Sequence, residues 1–158
     1  MTDDYIFRPA TEADVEDLAP RLKQDDVNEI WAYSRQRPLG ALQHSLLSSH
    51  ESFACEYKGT VEMMFGIAAA TTLSNYAMPW LLSSDEVYNP IHTRTFVKGS
   101  MKWVEMAKFM YPRQKNWVDA RNKRTVKWLK FLGYTMDDPE PMGRDELPFH
   151  LFHYGMDI

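Results

Sequence analysis

The 158-residue sequence has a single cysteine, Cys55. That excludes an internal disulfide and points to a reducing compartment, the cytoplasm being the expectation. A lone cysteine in an apolar strand reads as small buried filler rather than as a nucleophile. The opening residues, MTDDYIFRPATEADVEDL, are acidic and have no apolar h-region, so no secretory signal is expected. The longest apolar run, 63–70, is far too short to span a bilayer. The five histidines have no zinc-type spacing, and His150 and His153, three apart on an expected strand, point to opposite faces. No metal site is expected. No Ser-His-Asp order, nucleophile elbow, internal repeat, low-complexity tract or linker is recognisable. A net charge of −4 argues against a general nucleic-acid binder and leaves room for local basic patches.

What is present is a globular composition: 44% hydrophobic, 25% charged, with five Trp and ten Met as large, adaptable packing groups. The length suits one domain. Strands are expected at 5–7, 52–57, 61–73, 80–87, 116–120 and 147–154. Thr11 is placed to cap a helix whose third residue, Asp14, completes a variant capping box, and Pro20 kinks or ends it. Two more helical stretches follow, 26–34 and 39–48. Lys58-Gly59 between two apolar runs signals a tight hairpin. After Asn89-Pro90, Thr93 or Thr95 is expected to cap a long helix reaching 111, where Pro112 stops it.

The most informative stretch is 116–134, NWVDARNKRTVKWLKFLGY. An apolar strand leads through Asn122 into a helix over 123–132. Val126, Leu129 and Leu132 form its inner stripe, widened by Trp128 and Phe131, and Lys123, Arg124, Lys127 and Lys130 form its wet side. Gly133 suits the left-handed position that closes a helix, and Tyr134 follows it.

Asn122, Thr125, Trp128, Leu129, Gly133 and Tyr134 fall at spacings that resemble the second half of the acyl-CoA site of the GNAT (GCN5-related N-acetyltransferase) superfamily. The opening FRPATEADVEDL is also similar to the start of many GNAT chains. The resemblance covers nearly the whole chain. It implies an α/β (α+β) domain, with a mixed, mostly antiparallel sheet of six to seven strands and helices on both faces. It also implies acetyl-CoA as cofactor, a pantetheine arm in a gap between the fourth and fifth strands, and a pyrophosphate on the N–H groups opening the next helix. Cofactor contacts are then expected from Val87, Tyr88, Arg94, Val97, Lys98, Gly99, Ser100 and Asn122. Candidate bases are Glu86, Asp85 and Asp119. Trp31, Tyr33, Arg35 and Arg37 fall on the acceptor side.

Two positions depart from the GNAT pattern. Val97 stands where the phosphate loop has its first glycine, and Leu129 stands where the family usually has the tyrosine that protonates the leaving thiolate. Tyr88, Tyr111 and Tyr134 are the candidate replacements. The WLLSSDEV segment, the long Lys-rich helix without a glycine loop and the run from Asn122 to Leu129 resemble, more loosely, the GNAT-like internal virion proteins of short-tailed phages. Three readings follow: a GNAT-fold virion or host-interaction protein with little or no catalysis, an active acetyl-CoA-dependent N-acyltransferase using another acid, or an inhibitor of a host enzyme. Partners are correspondingly CoA, a virion protein or a host protein.

Overall fold

The computed structural model describes residues 4–69 and 75–156. Expectations for 70–74 lie outside the described residues. Among the described residues, eight strands form one mixed sheet, β1 (Tyr5–Pro9), β2 (Ser49–Tyr57), β3 (Thr60–Ala69), β4 (Ala77–Ser83), β5 (Gln114–Asp119), β6 (Thr135–Met136), β7 (Glu140–Met142) and β8 (Leu147–Tyr154). They lie in the order β1-β2-β3-β4-β5-β8-β6, with β7 also on β8, and among the described residues only the β4–β5 pair is parallel. The count exceeds the expected six to seven because β6 and β7 are two- and three-residue pieces, too short to carry an alternation.

Three helices, α1 (Glu12–Leu18), α2 (Gln24–Ser34) and α3 (Pro38–Ser48), cover one face. Their Val15, Leu18, Ile30 and Leu42 pack on Ala54, Met64 and Leu82 of the sheet. Two helices, α4 (Pro90–Met110) and α5 (Lys123–Phe131), cover the other. Here Phe96, Trp103, Ala107, Trp128 and Leu129 meet Cys55, Met63, Phe65 and Val118. Neighbours such as Ala54 and Cys55, or Met63 and Met64, therefore serve opposite cores, as a two-residue strand period requires. β3 is apolar nearly throughout because both its faces are covered.

Local chemistry explains the punctuation. The Asp14 carboxylate accepts the Thr11 N–H at 2.7 Å, and α1 gives way after Leu18 to a 3₁₀ turn containing Pro20. The β2–β3 hairpin turns through Lys58 (φ 50°) and Gly59 (φ 83°), two successive left-handed residues that match strand twist. Gly133 (φ 99°) closes α5, and the Tyr134 N–H reaches back to the Leu129 carbonyl at 3.1 Å.

The boundaries around β4 and α4 differ from expectation. β4 starts at Ala77, ahead of the expected start at 80, and ends at Ser83 rather than at 87. Asp85–Tyr88 form a 3₁₀ turn rather than the end of a strand, because the Ser84 hydroxyl accepts the Glu86 N–H and turns the chain. α4 starts at Pro90 rather than after Thr93 or Thr95. Asn89 caps it, its side chain accepting the Ile91 N–H at 3.2 Å, and proline at the first helical position needs no partner for a missing N–H. Among the described residues, no helix is long and apolar enough to cross a membrane.

Candidate functional site: a splayed strand pair closed by a buried ion pair

β4 and β5 pair at one point, Ala77 with Gln114, and diverge beyond it. Pro79 sits at the start of the divergence. Its carbonyl faces β5, so its missing N–H falls on the same edge, where no ladder donor is lost. The Asn116 side-chain amide donates to the Pro79 carbonyl at 2.9 Å, standing in for a backbone partner. Farther along, two carboxylates of α2 take over. Asp26 accepts the Ser83 N–H at 3.0 Å, and Glu29 accepts the Asp119 N–H at 3.0 Å. One helix thus satisfies the open ends of both strands.

Lys23, the residue before α2, completes the closure. Its backbone N–H donates to the Ser83 carbonyl at 2.9 Å. Its ammonium donates to Asp26 (2.7 Å), Asn122 (2.7 Å) and Thr125 (2.9 Å), which uses all three of its protons. Asn122 in turn donates to Asp26 and Glu29 at 2.8 and 3.1 Å. Lys23 and Asp26 are both fully buried. Burial pushes the Asp26 carboxyl upward despite the opposing pull of Lys23. Burial, then the Asp26 charge, pushes Glu29 up to about 8.

Tyr88 stands beside this cluster. Its ring is edge-on to Trp128 at 5.6 Å, with the Arg124 guanidinium over it at 4.4 Å. Its buried hydroxyl has no hydrogen-bond partner among the described residues, and burial pushes its ionisation up to about 12. Beneath the cluster the gap between β4 and β5 holds a cavity of about 80 Å³, walled by Pro79, Leu81, Asn116, Val118, Leu129 and Glu29. Ordinary ligand pockets run to roughly 300–1,000 Å³. A wider groove of about 420 Å³ opens on the α2–α3 side, between Glu29, Tyr33, His44, Trp80, Trp117 and Phe149.

Many solved structures share this architecture, across nearly the full length of the chain. A GCN5-related N-acetyltransferase from Kribbella flavida matches at 16% identity and TM-score 0.69, covering 99% of this chain and 100% of that one. A putative acetyltransferase from Salmonella typhimurium, solved with its cofactor acetyl-CoA, matches at 11% and 0.64, covering 99% and 96%. The fold is that of the GNAT acetyltransferases. A ribosomal-protein-S5-alanine acetyltransferase from Vibrio fischeri aligns at 14% and 0.64, covering 99% and 96%. No family model matches the sequence, and no curated protein does.

Within the GNAT frame the expected site residues divide. Asn122 belongs to the closing cluster, Tyr88 stands beside it with its ring 5.7 Å from the Lys23 ammonium, and Val87 is buried in the core. Arg94, Val97, Lys98, Gly99 and Ser100 lie one to three turns inside α4 rather than at its start. Gly99 serves packing: a Cβ there would lie 2.0 Å from the Phe7 ring. Val97 packs against the core, and Ser100 accepts the Trp128 indole N–H at 3.2 Å. Arg94 and Lys98 face solvent.

Of the candidate bases, Asp85 is exposed and paired with Arg124 at 2.8 Å, and exposed Glu86 lies 3.3 Å from His92. Asp119 is buried in a multidentate bond to Arg121. Tyr134 donates to buried Gln114 at 2.6 Å, and Tyr111 stacks on His50, so neither reaches the gap. Trp31 is flanked by the Arg35 and Arg37 guanidinia at 5.2 and 5.5 Å, while Tyr33 lines the wider groove. His150 and His153 both bond Asp137, one to its carbonyl and one to its carboxylate. The sequence reading missed Lys23, Asp26 and Glu29. Their only local trace is an unusual density of charge, LKQDDVNE, at the start of an amphipathic helix.

Proposed function

We propose that this GNAT-fold chain does not transfer acyl groups and works through protein contacts, as a phage-encoded internal virion or host-interaction protein. The observation that carries the reading is Lys23. An extended thioester arm entering between β4 and β5 needs free donors and acceptors along the inner edge of β4. At Ser83 both backbone groups are already bonded, to Lys23 and Asp26. Removing a charge from a buried pair is costly, so the arm does not displace this cluster easily. The turn that precedes α4 carries Asp85, paired with Arg124, and exposed Glu86, an acidic setting that supports the same reading. Leu129 in place of a tyrosine fits the same reading. The phage assignment draws on the resemblance carried by 80–87, α4 and the run from Asn122 to Leu129.

One pair of side chains favours a second reading, an active N-acyltransferase. Glu29 lies between the gap and the wider groove with its carboxyl near 8, where a general base for an amine is effective. Tyr88 keeps its proton and stands beside the cluster that closes the gap, which supports a role as the acid for a thiolate.

Calorimetric titration with acetyl-CoA separates the two, with a Lys23→Ala/Asp26→Asn variant alongside. The expected result is no binding by the natural protein. Micromolar binding by the natural protein, with acyl transfer to an amine that is lost in Glu29→Gln, overturns the non-catalytic reading.

A further inference from the structure

Charge is unevenly divided along this chain. Residues 90–131 hold eleven Lys and Arg against two Asp and Glu, a net +9, while the remainder holds seven against twenty, a net −13. The basic part is α4, β5 and α5, and the two helices sit side by side on one face of the sheet. The Trp128–Ser100 bond and a 2.8 Å bond from the Lys108 ammonium to the Leu132 carbonyl join them.

The buried stripe of α4 runs through Phe96, Ser100, Trp103 and Ala107. At 100° per residue the opposite stripe is Ile91, Arg94, Lys98, Lys102, Met106 and Phe109. All six are exposed, and Ile91 (73%), Met106 (58%) and Phe109 (88%) are strongly so. The outer surface of α5 continues it with Lys123, Lys127, Lys130 and Phe131, the last 62% exposed. Apart from Arg124, the cations of this surface make no ion pair among the described residues. Glu105 is its one acid.

The arrangement selects among anionic partners. A nucleic-acid backbone would use the lysines, but aliphatic Ile91 and Met106 gain nothing from solvated phosphates. An acidic peptide helix needs a continuous apolar groove. Here the apolar side chains stand apart, Ile91 and Phe109 about 27 Å from each other along the helix, with cations between them. That is the pattern of a helix lying in the plane of a membrane interface, with apolar groups dipping into the headgroup–acyl boundary and lysines on the headgroups. We propose that the outer face of α4 and α5 docks on an anionic lipid surface, without spanning it. The proposal does not depend on whether the acyl-CoA gap is closed.

The test is co-sedimentation of the full chain with vesicles of equimolar phosphatidylglycerol and phosphatidylcholine, and with phosphatidylcholine alone, at low and physiological salt. Two variants accompany it, Lys98→Glu/Lys102→Glu/Lys127→Glu and Phe109→Ser/Phe131→Ser. All the altered side chains are exposed, and unchanged thermal melting verifies their folds. Binding is expected only to the phosphatidylglycerol vesicles. The charge reversals should weaken it by more than about tenfold, and the Phe variant should weaken it severalfold at physiological salt. No lipid-dependent sedimentation at low salt overturns the proposal. So does binding to a single-stranded oligonucleotide that is tighter than to vesicles and indifferent to the Phe variant, which would assign the face to nucleic acid.

Discussion

The Lys23 ammonium lies 2.7 Å from the Asn122 side-chain carbonyl, 99 residues away in sequence. The contact ties the α1–α2 connection to the start of α5 across the open end of the β4–β5 gap. All three protons of the ammonium are used there, on Asp26, Asn122 and Thr125.

Lys23→Ala leaves Asp26 fully buried without its cation, while Asn122 and Thr125 each lose a donor. A loss of about 3–5 kcal/mol is expected. Lys23→Ala/Asp26→Asn removes the charge from both partners and keeps an acceptor for the Ser83 N–H, so it should recover at least half of that loss. Urea denaturation of the two variants checks both values. Equal stability of the single and double variants would mean that an unpaired Asp26 charge is not the source of the loss.

Glu29 sets a pH dependence of unusual sign. Its folded carboxyl, near 8, is well above its ordinary 4.5, so between these values the native state holds a proton that the unfolded chain has released. Stability contributed by this group therefore falls as pH rises from about 5 to about 8, by up to a few kcal/mol, and levels off above that. Glu29→Gln keeps an acceptor for the Asp119 N–H and should flatten the slope. Unfolding midpoints measured across that range in both proteins test this.

Gly99→Ala would ordinarily stabilise the interior of a helix by about 0.5–1 kcal/mol. In α4 the added methyl meets the Phe7 ring at 2.0 Å. Overpacking of this kind costs about 1–3 kcal/mol, so the net effect should be destabilising. In a Phe7→Ala background the clash is gone and the sign should reverse. A thermal double-mutant cycle measures the coupling.

Much of the fold was legible in the residues. The hairpin at Lys58-Gly59, the box joining Thr11 and Asp14, the breaks at Pro20 and Pro112 and the closure of α5 at Gly133 are all local, and each is where its chemistry puts it. The start of α4 was misplaced because Asn89-Pro90 reads equally as a chain break or as a cap followed by a first-turn proline. That error moved the expected phosphate cradle into the body of the helix, where the expected glycine turned out to be a packing contact. The closing cluster was not legible. Lys23, Asp26 and Glu29 look like any solvated helix face until the fold brings Ser83, Asp119 and Asn122 against them. Nothing within a few residues of Lys23 signals that its ammonium will be dry.

The single backbone pairing between Ala77 and Gln114 has a further consequence. Hydrogen-bonded ladders are what let a sheet resist shear as one plate. Here the ladder is broken across the middle, and the two leaves are joined by side chains: the Asn116 amide near the pivot and the carboxylates of α2 at the far end. Side-chain bonds of this kind open without unfolding either leaf. The domain therefore has a seam, and amide hydrogens along it should exchange through small openings of the leaves while those within β2 and β3 wait for global unfolding.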